Sequence, residues 1–436
     1  MKFIKKNYKY LLIFILSLII NFLFIDRFYD GPTQYGMAHA IIMGEIPYID
    51  FNMVSTPLYP FVHSFFLLFY DSYLTFTIVN SLIFTMIFFF ADKIIEKHFF
   101  TYFLICLLPL FDVVCPSYNL FCKLLIMIIL YLEKNKKNDY LIGLFLGLLL
   151  LTKHSIGVPI ILCSLLYRRD IKACLKRITG VIIPTIIFAI YLVITKSLYA
   201  FIDLTFLGLF DFGSKNKESS MLFIIIFILM FVYYIYDIFK GKSRDKYLSF
   251  YGIGTLAFMI PIFDFNHSAC ALLFFLLILF VRKDLRLNYY LFNTFLVCLL
   301  CVFTYLFVKI SYTPFYIQNF NHFPMFISGH NRFSKVLESY KKYPNSIMID
   351  PNGVFYDIVL DKKITYFDVP LTGNYGHLGT DNMINKLEDD TYYFISKKYS
   401  NSSVSQFDTK LCDYIIENSH LVDSVSTFNI YYYRKW

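Results

Sequence analysis

Residues 24–60 read FIDRFYDGPTQYGMAHAIIMGEIPYIDFNMVSTPLYPF and set Asp26, Arg27, Asp30 and Asp50 between strongly apolar stretches. Acids held beside lipid suit chemistry at a membrane interface, because ionisable groups near membrane depth are rare and mark functional sites. Further along stand Asp112 in Phe-Asp-Val-Val-Cys-Pro, the Lys153-His154 pair in Leu-Leu-Thr-Lys-His-Ser-Ile-Gly, then Asp203, Asp264 and His267. Each has a plain structural alternative. Asp30 precedes Gly31-Pro32, a good helix N-cap setting, and Asp50 in Pro-Tyr-Ile-Asp-Phe can shape a turn. Asp112 can cap the following helix, Lys153 and His154 can anchor a helix end at the interface, and His267 can be a solvated loop histidine.

The elements that must position these residues are membrane helices. Of 436 residues, 58% are hydrophobic and 16% charged, which excludes a large soluble enzyme and indicates a polytopic membrane protein. Recurrent apolar runs of roughly 15 to 20 residues match the hydrocarbon thickness. Lipid offers backbone groups no partners, so these runs must be helical. The 51 Phe and 37 Tyr suit lipid-facing surfaces and interfacial belts. The net charge of +9 does not indicate nucleic acid, because the basic residues fall in short clusters between apolar runs. About 21 Lys and Arg lie in segments 1–10, 92–98, 133–139, 167–178, 238–247 and 282–288. The intervening loops hold about five, namely Arg27, Lys153, Lys196, Lys215 and Lys217. That asymmetry predicts a cytoplasmic N-terminus and an acid-bearing loop outside. The nine cysteines are scattered without metal-ligand spacing, so a disulfide framework is not expected. No small-residue cleavage site precedes Asp26, so residues 11–25 read as a retained first helix.

With the basic clusters as cytoplasmic markers, about eleven spans are predicted. They are residues 11–25, 74–91, 99–114, 117–132, 140–153, 155–167, 178–195, 219–237, 247–263, 267–281 and 290–308. The expected fold is an α-helical polytopic membrane domain over residues 1–310, with a first outer loop at 26–73 and a small extracytoplasmic α/β domain at 311–436. Within that loop, one amphipathic helix is predicted from Asp30-Gly31-Pro32 to Gly44, with Tyr35, Ala38, Ile41 and Ile42 on its apolar face. A second follows Pro57, carrying Leu58, Phe61, Val62, Phe65 and Phe69. Both are expected to lie on the outer surface, with a true span as the alternative for the second; Asp71, with no basic residue near it, argues against a cytoplasmic end there. In the C-terminal region helical patterns (332–343, 380–389, 408–418) alternate with β-rich runs (346–350, 363–369, 391–396, 430–433), which predicts an α/β sandwich.

The run Asp30-(x4)-Tyr35-(x2)-Ala38-(x5)-Gly44-(x2)-Pro47-Tyr48-Ile49-Asp50-Phe51, followed by Thr56-Pro57-Leu58, resembles the first outer loop of GT-C-type membrane glycosyltransferases. These include the protein O-mannosyltransferase and aminoarabinose-transferase-like groups. Pro116-Ser117-Tyr118-Asn119 and Gly143-(x3)-Gly147-(x4)-Thr152-Lys153-(x3)-Gly157 are further echoes. The resemblance implies transfer of a sugar from a polyprenyl-phosphate donor to a glycan, lipid or protein acceptor on the outer face, with inversion. It places the catalytic acid or base on Asp30 and an assisting acid on Asp112. Gly31 stands where the family has Glu, which leaves that second carboxylate missing or supplied by another acid such as Asp50. Thr56 replaces one Pro of the usual pair.

On that implication, Asp30 takes the acceptor proton, and Lys153, with Arg27 or His154, stabilises the departing lipid phosphate. Asp50, Tyr118 and His267 complete the implied substrate-binding set. Family members differ in metal dependence, so a divalent cation stays open. Rival readings are a transporter or flippase of lipid-linked sugars, which should show midplane charges and pseudo-repeats, and a glycan polymerase or ligase.

Overall fold

The computed structural model describes residues 2–23, 30–95, 117–208, 210–211, 220–240, 245–260, 262–281, 316–328, 332–368, 370, 373–401 and 407–435. The chain divides into two compact units. One takes residues 1–23, 77–189 and 218–313, the other residues 24–76, 190–217 and 314–436. The N-terminal helices are α1 (Lys2–Leu23), α2 (Asp30–Ile42), α3 (Leu58–Leu67) and α4 (Tyr73–Ile94). Next come α5 (Tyr118–Lys134), α6 (Asp139–Thr152), α7 (His154–Arg168), α8 (Ile171–Ile194) and the short α9 (Leu198–Phe201), which runs into a π-helical turn at Ile202–Leu207. Then follow α10 (Met221–Lys240), α11 (Lys246–Thr255) and α12 (Phe265–Val281). The C-terminal region holds β1 (Tyr316–Phe320), β2 (Phe323–Ser328), α13 (Phe333–Lys342), β3 (Ser346–Ile349), α14 (Gly353–Val359) and α15 (Gly379–Asn385). It ends with β4 (Thr391–Ser396), α16 (Thr409–Glu417), β5 (Ser419–Val425) and β6 (Phe428–Tyr433).

Helices occupy the sites of nine predicted spans, while the expected spans 99–114 and 290–308 lie outside the described residues. Among the described residues, three helices, α4, α8 and α10, are long and apolar enough to cross a membrane. A helix of 22 residues is about 33 Å long, enough for the hydrocarbon core. Ile182, Ile183, Ile186 and Ile187 of α8 are exposed, as are Leu222, Ile225 and Leu229 of α10. Continuous aliphatic faces of this kind suit lipid better than water.

Two devices hold the helical unit together. First, α6 and α8 approach backbone to backbone. A Cβ on Gly143 would lie 2.2 Å from the Arg177 carbonyl oxygen, and one on Gly147 would lie 2.5 Å from the Pro184 ring. The Gly143-(x3)-Gly147 spacing therefore builds a small-residue helix contact. Second, the Arg177 guanidinium is buried and fully engaged. Its Nη1 lies 2.6 Å from Glu133 Oε1, and its Nε donates to Asp139 Oδ1 at 2.9 Å. The Ser164 hydroxyl accepts from Nη1 at 2.6 Å, and the Tyr251 hydroxyl donates to Glu133 at 2.7 Å. Removing one partner would strand a buried charge. The network ties α5, α6, α7, α8 and α11 at one point.

In the other unit, the four-stranded sheet runs in the order β3-β4-β6-β5, with β3 parallel to β4 and the remaining pairs antiparallel. Alternation along β4 sends Tyr393 and Ile395 into a core with Met383 and Leu387 near α15 and with Leu411, Cys412 and Ile415 of α16. Phe394 points to the other face, against Tyr340 of α13. Helices thus cover both faces. Two expectations need correction. Residues 363–368 form a turn rather than a strand, because the Asp368 carboxylate accepts hydrogen bonds from the Thr365 amide and hydroxyl. And α2 is not a surface-lying amphipathic helix: residues Gly31–Ala40 are buried on every side, the polar Thr33, Gln34 and His39 included.

Candidate functional site

Helix α2 organises the candidate site. Pro32 sits in its first turn, where a missing amide hydrogen is tolerated. Gly36 lets α14 close on it, since a Cβ there would lie 2.2 Å from the Val354 side chain. Tyr35 and His39, one turn apart, share a face, and both reach Asp71 in the connection between α3 and α4. The Tyr35 hydroxyl donates to Asp71 Oδ1 at 2.9 Å, and His39 Nδ1 lies 2.8 Å from Oδ2.

The β1–β2 hairpin delivers a third partner. His322 occupies its two-residue turn with φ 61°, a left-handed conformation uncommon for a residue other than glycine. Its carbonyl accepts from the Tyr73 amide at 2.8 Å, which fixes the turn over the start of α4. His322 Nδ1 stands 3.3 Å from Asp71 Oδ2 and 3.2 Å from the Asp71 carbonyl oxygen, while Nε2 lies 3.0 Å from Asp361 Oδ1. Tyr73, Phe76 and Phe323 pack around Tyr35. Burial works to raise the Asp71 carboxyl, but hydrogen bonds from His322, His39 and Tyr35 outweigh it and hold it well below the usual carboxylate range. The hydrogen bond to Asp71, opposed by burial and helped by Asp361, raises the His322 imidazole to about 9.

Beyond α2 the chain turns through Gly44, at φ 88°, into Glu45. The Glu45 side chain is buried, and its Oε2 has no hydrogen-bond partner among the described residues. Burial pushes its carboxyl up to about 7, with Lys363 opposing and Asp50 reinforcing the shift. Tyr48, also left-handed at φ 72°, donates its hydroxyl to the Ser55 carbonyl at 2.8 Å. The Asp50 carboxylate accepts from the Ile46 amide at 2.6 Å and so closes its own turn. The Tyr366 hydroxyl donates to the Ile49 carbonyl, which pins this loop to the C-terminal region.

Asp30 lies exposed in the first turn of α2, where the helix dipole favours a negative charge. In the helical unit, Lys153 is the extended joint between α6 and α7. Its ammonium donates to Asn119 Oδ1 at 3.0 Å and stands 5.0 Å above the Tyr118 ring. Ser117 caps α5 and sets both residues in its first turn. Tyr118 and Lys153 thus come together, with His154 buried at the start of α7. His267 pairs instead with Asp264 at 2.8 Å. Arg27 and Asp112 lie outside the described residues.

Sequence reasoning passed over Glu45, His39, Asp71 and His322. Glu45 was available within the same acidic loop, between Gly44 and Ile46-Pro47. No spacing could have linked Asp71 to His322, which are 251 positions apart. No protein-family model, curated protein or solved structure matches the chain.

Proposed function

We propose that the chain is a membrane glycosyltransferase that moves a sugar from a polyprenyl-phosphate donor to an acceptor on the outer face, with inversion. The observation that carries this reading is the first-loop segment. Residues 24–76 fold with the C-terminal α/β region as one unit rather than as a linker between spans. That unit presents an exposed acid at a helix start, Asp30, and a buried one, Glu45.

In the proposed step, the Asp30 carboxylate takes the acceptor hydroxyl proton as the acceptor oxygen bonds to the anomeric carbon. The bond from that carbon to the phosphate oxygen breaks on the opposite face, and its electron pair leaves with the lipid phosphate. The phosphate departs as an anion and calls for a cation rather than an acid. The N-terminus is assigned to the cytoplasm and the C-terminal region to the outside.

Purified full-length chain, incubated with a panel of polyprenyl-phosphate sugars and membrane extract, should yield labelled acceptor detectable by mass spectrometry. Movement of lipid-linked sugar across vesicles without any transfer would replace the enzyme reading with that of a flippase.

A further inference from the structure

We infer that His39, Asp71 and His322 form a binding site for a divalent transition cation of the zinc class. One imidazole would satisfy Asp71. Instead, the Tyr35 hydroxyl already occupies Oδ1, and two imidazole nitrogens converge on Oδ2, at 2.8 Å from His39 and 3.3 Å from His322. The three donor atoms lie within 4.8 Å of one another. Around a tetrahedral ion with bonds of about 2.1 Å, ligand atoms stand roughly 3.4 Å apart, so small shifts would seat one. Two imidazoles and a carboxylate suit zinc, and three protein ligands leave a fourth position for water or substrate.

The surrounding contacts are those a metal site needs. A metal-bound histidine hands its other ring nitrogen to a carboxylate, which fixes tautomer and ring orientation. Here His322 Nε2 faces Asp361 at 3.0 Å, so Nδ1 is the nitrogen directed at Asp71. A ligating carboxylate is itself hydrogen-bonded, as Asp71 is by Tyr35. His322 is also held in a left-handed turn by the Tyr73 amide, and backbone strain of this kind gathers at functional sites. The inference stands on this geometry and not on the glycosyltransferase reading.

Full-length chain in detergent, stripped with chelator, would be titrated with Zn2+ and with Co2+. One ion per chain is expected, with a visible Co2+ d–d band and no thiolate charge-transfer absorption. The band should vanish in His39→Ala and His322→Ala, and Asp361→Asn should weaken Zn2+ binding by roughly 10- to 100-fold. Absence of the band in folded parent, a thiolate signature, or a band that survives in folded His322→Ala would each overturn the site. If the histidine variants fail to fold, Asp361→Asn decides, since Asp361 is exposed; a Zn2+ affinity equal to the parent's then overturns it.

Discussion

Asp30 and Glu45 belong to one short stretch of chain, yet burial separates their chemistry. Asp30 is exposed at a helix start, and Asn is nearly as good as Asp at such a position. Asp30→Asn should therefore keep parental expression and thermal stability while losing on the order of a hundredfold or more in turnover. Near-parental transfer by the Asn protein would reduce Asp30 to a cap. Glu45 is buried, and its carboxyl titrates at about 7 against an ordinary value of 4.5. An acid raised in the folded state contributes its full stability below the unfolded value and loses it as pH climbs through the folded one. Glu45→Gln should remove that loss, so its thermal midpoint should gain on the parent's between about pH 5 and about pH 8. Parallel midpoint curves would place Glu45 in water. Glu45 and His39 both lay in a stretch whose residue types already invited attention. His39, Asp71 and His322 gain their meaning from packing, since each alone reads as a helix or loop residue.

At the scale of elements, apolar runs translated directly into helices because only a helix satisfies the backbone within such a run. Shorter elements were harder to read. The β1–β2 hairpin escaped because its strand Tyr316–Phe320 is largely exposed and lacks a clean alternation of polar and apolar residues. Residues 363–368 have the β-rich composition of a strand, but Asp368 captures the Thr365 amide and the chain turns. The helix α2 defeats an amphipathic reading because its polar residues are buried as well as its apolar ones. Gly143 and Gly147 read as echoes of a family motif, whereas packing alone explains why they are glycine. Gly143→Ala would set a methyl group 2.2 Å from the Arg177 carbonyl, an atom that cannot swing aside. A loss of about 1–3 kcal/mol is expected, seen as a lower thermal midpoint in detergent. An unchanged midpoint would mean that α6 and α8 do not approach so closely.

For the molecule as a whole, orientation is the testable quantity. Single cysteines placed near Lys136 and in the C-terminal region, in a background without native cysteines, should label from inside and from outside respectively. Labelling of the C-terminal site only after permeabilisation would invert the topology and remove the outer-face reaction. The unit that holds α2 also sets a timetable for biogenesis. Its pieces, residues 24–76, 190–217 and 314–436, leave the ribosome far apart. At about 5–20 residues per second, α2 waits tens of seconds for the hairpin that completes its surroundings. Until then Tyr35 and Tyr73 lack Phe323, and the aromatic face of the loop stays uncovered for that interval.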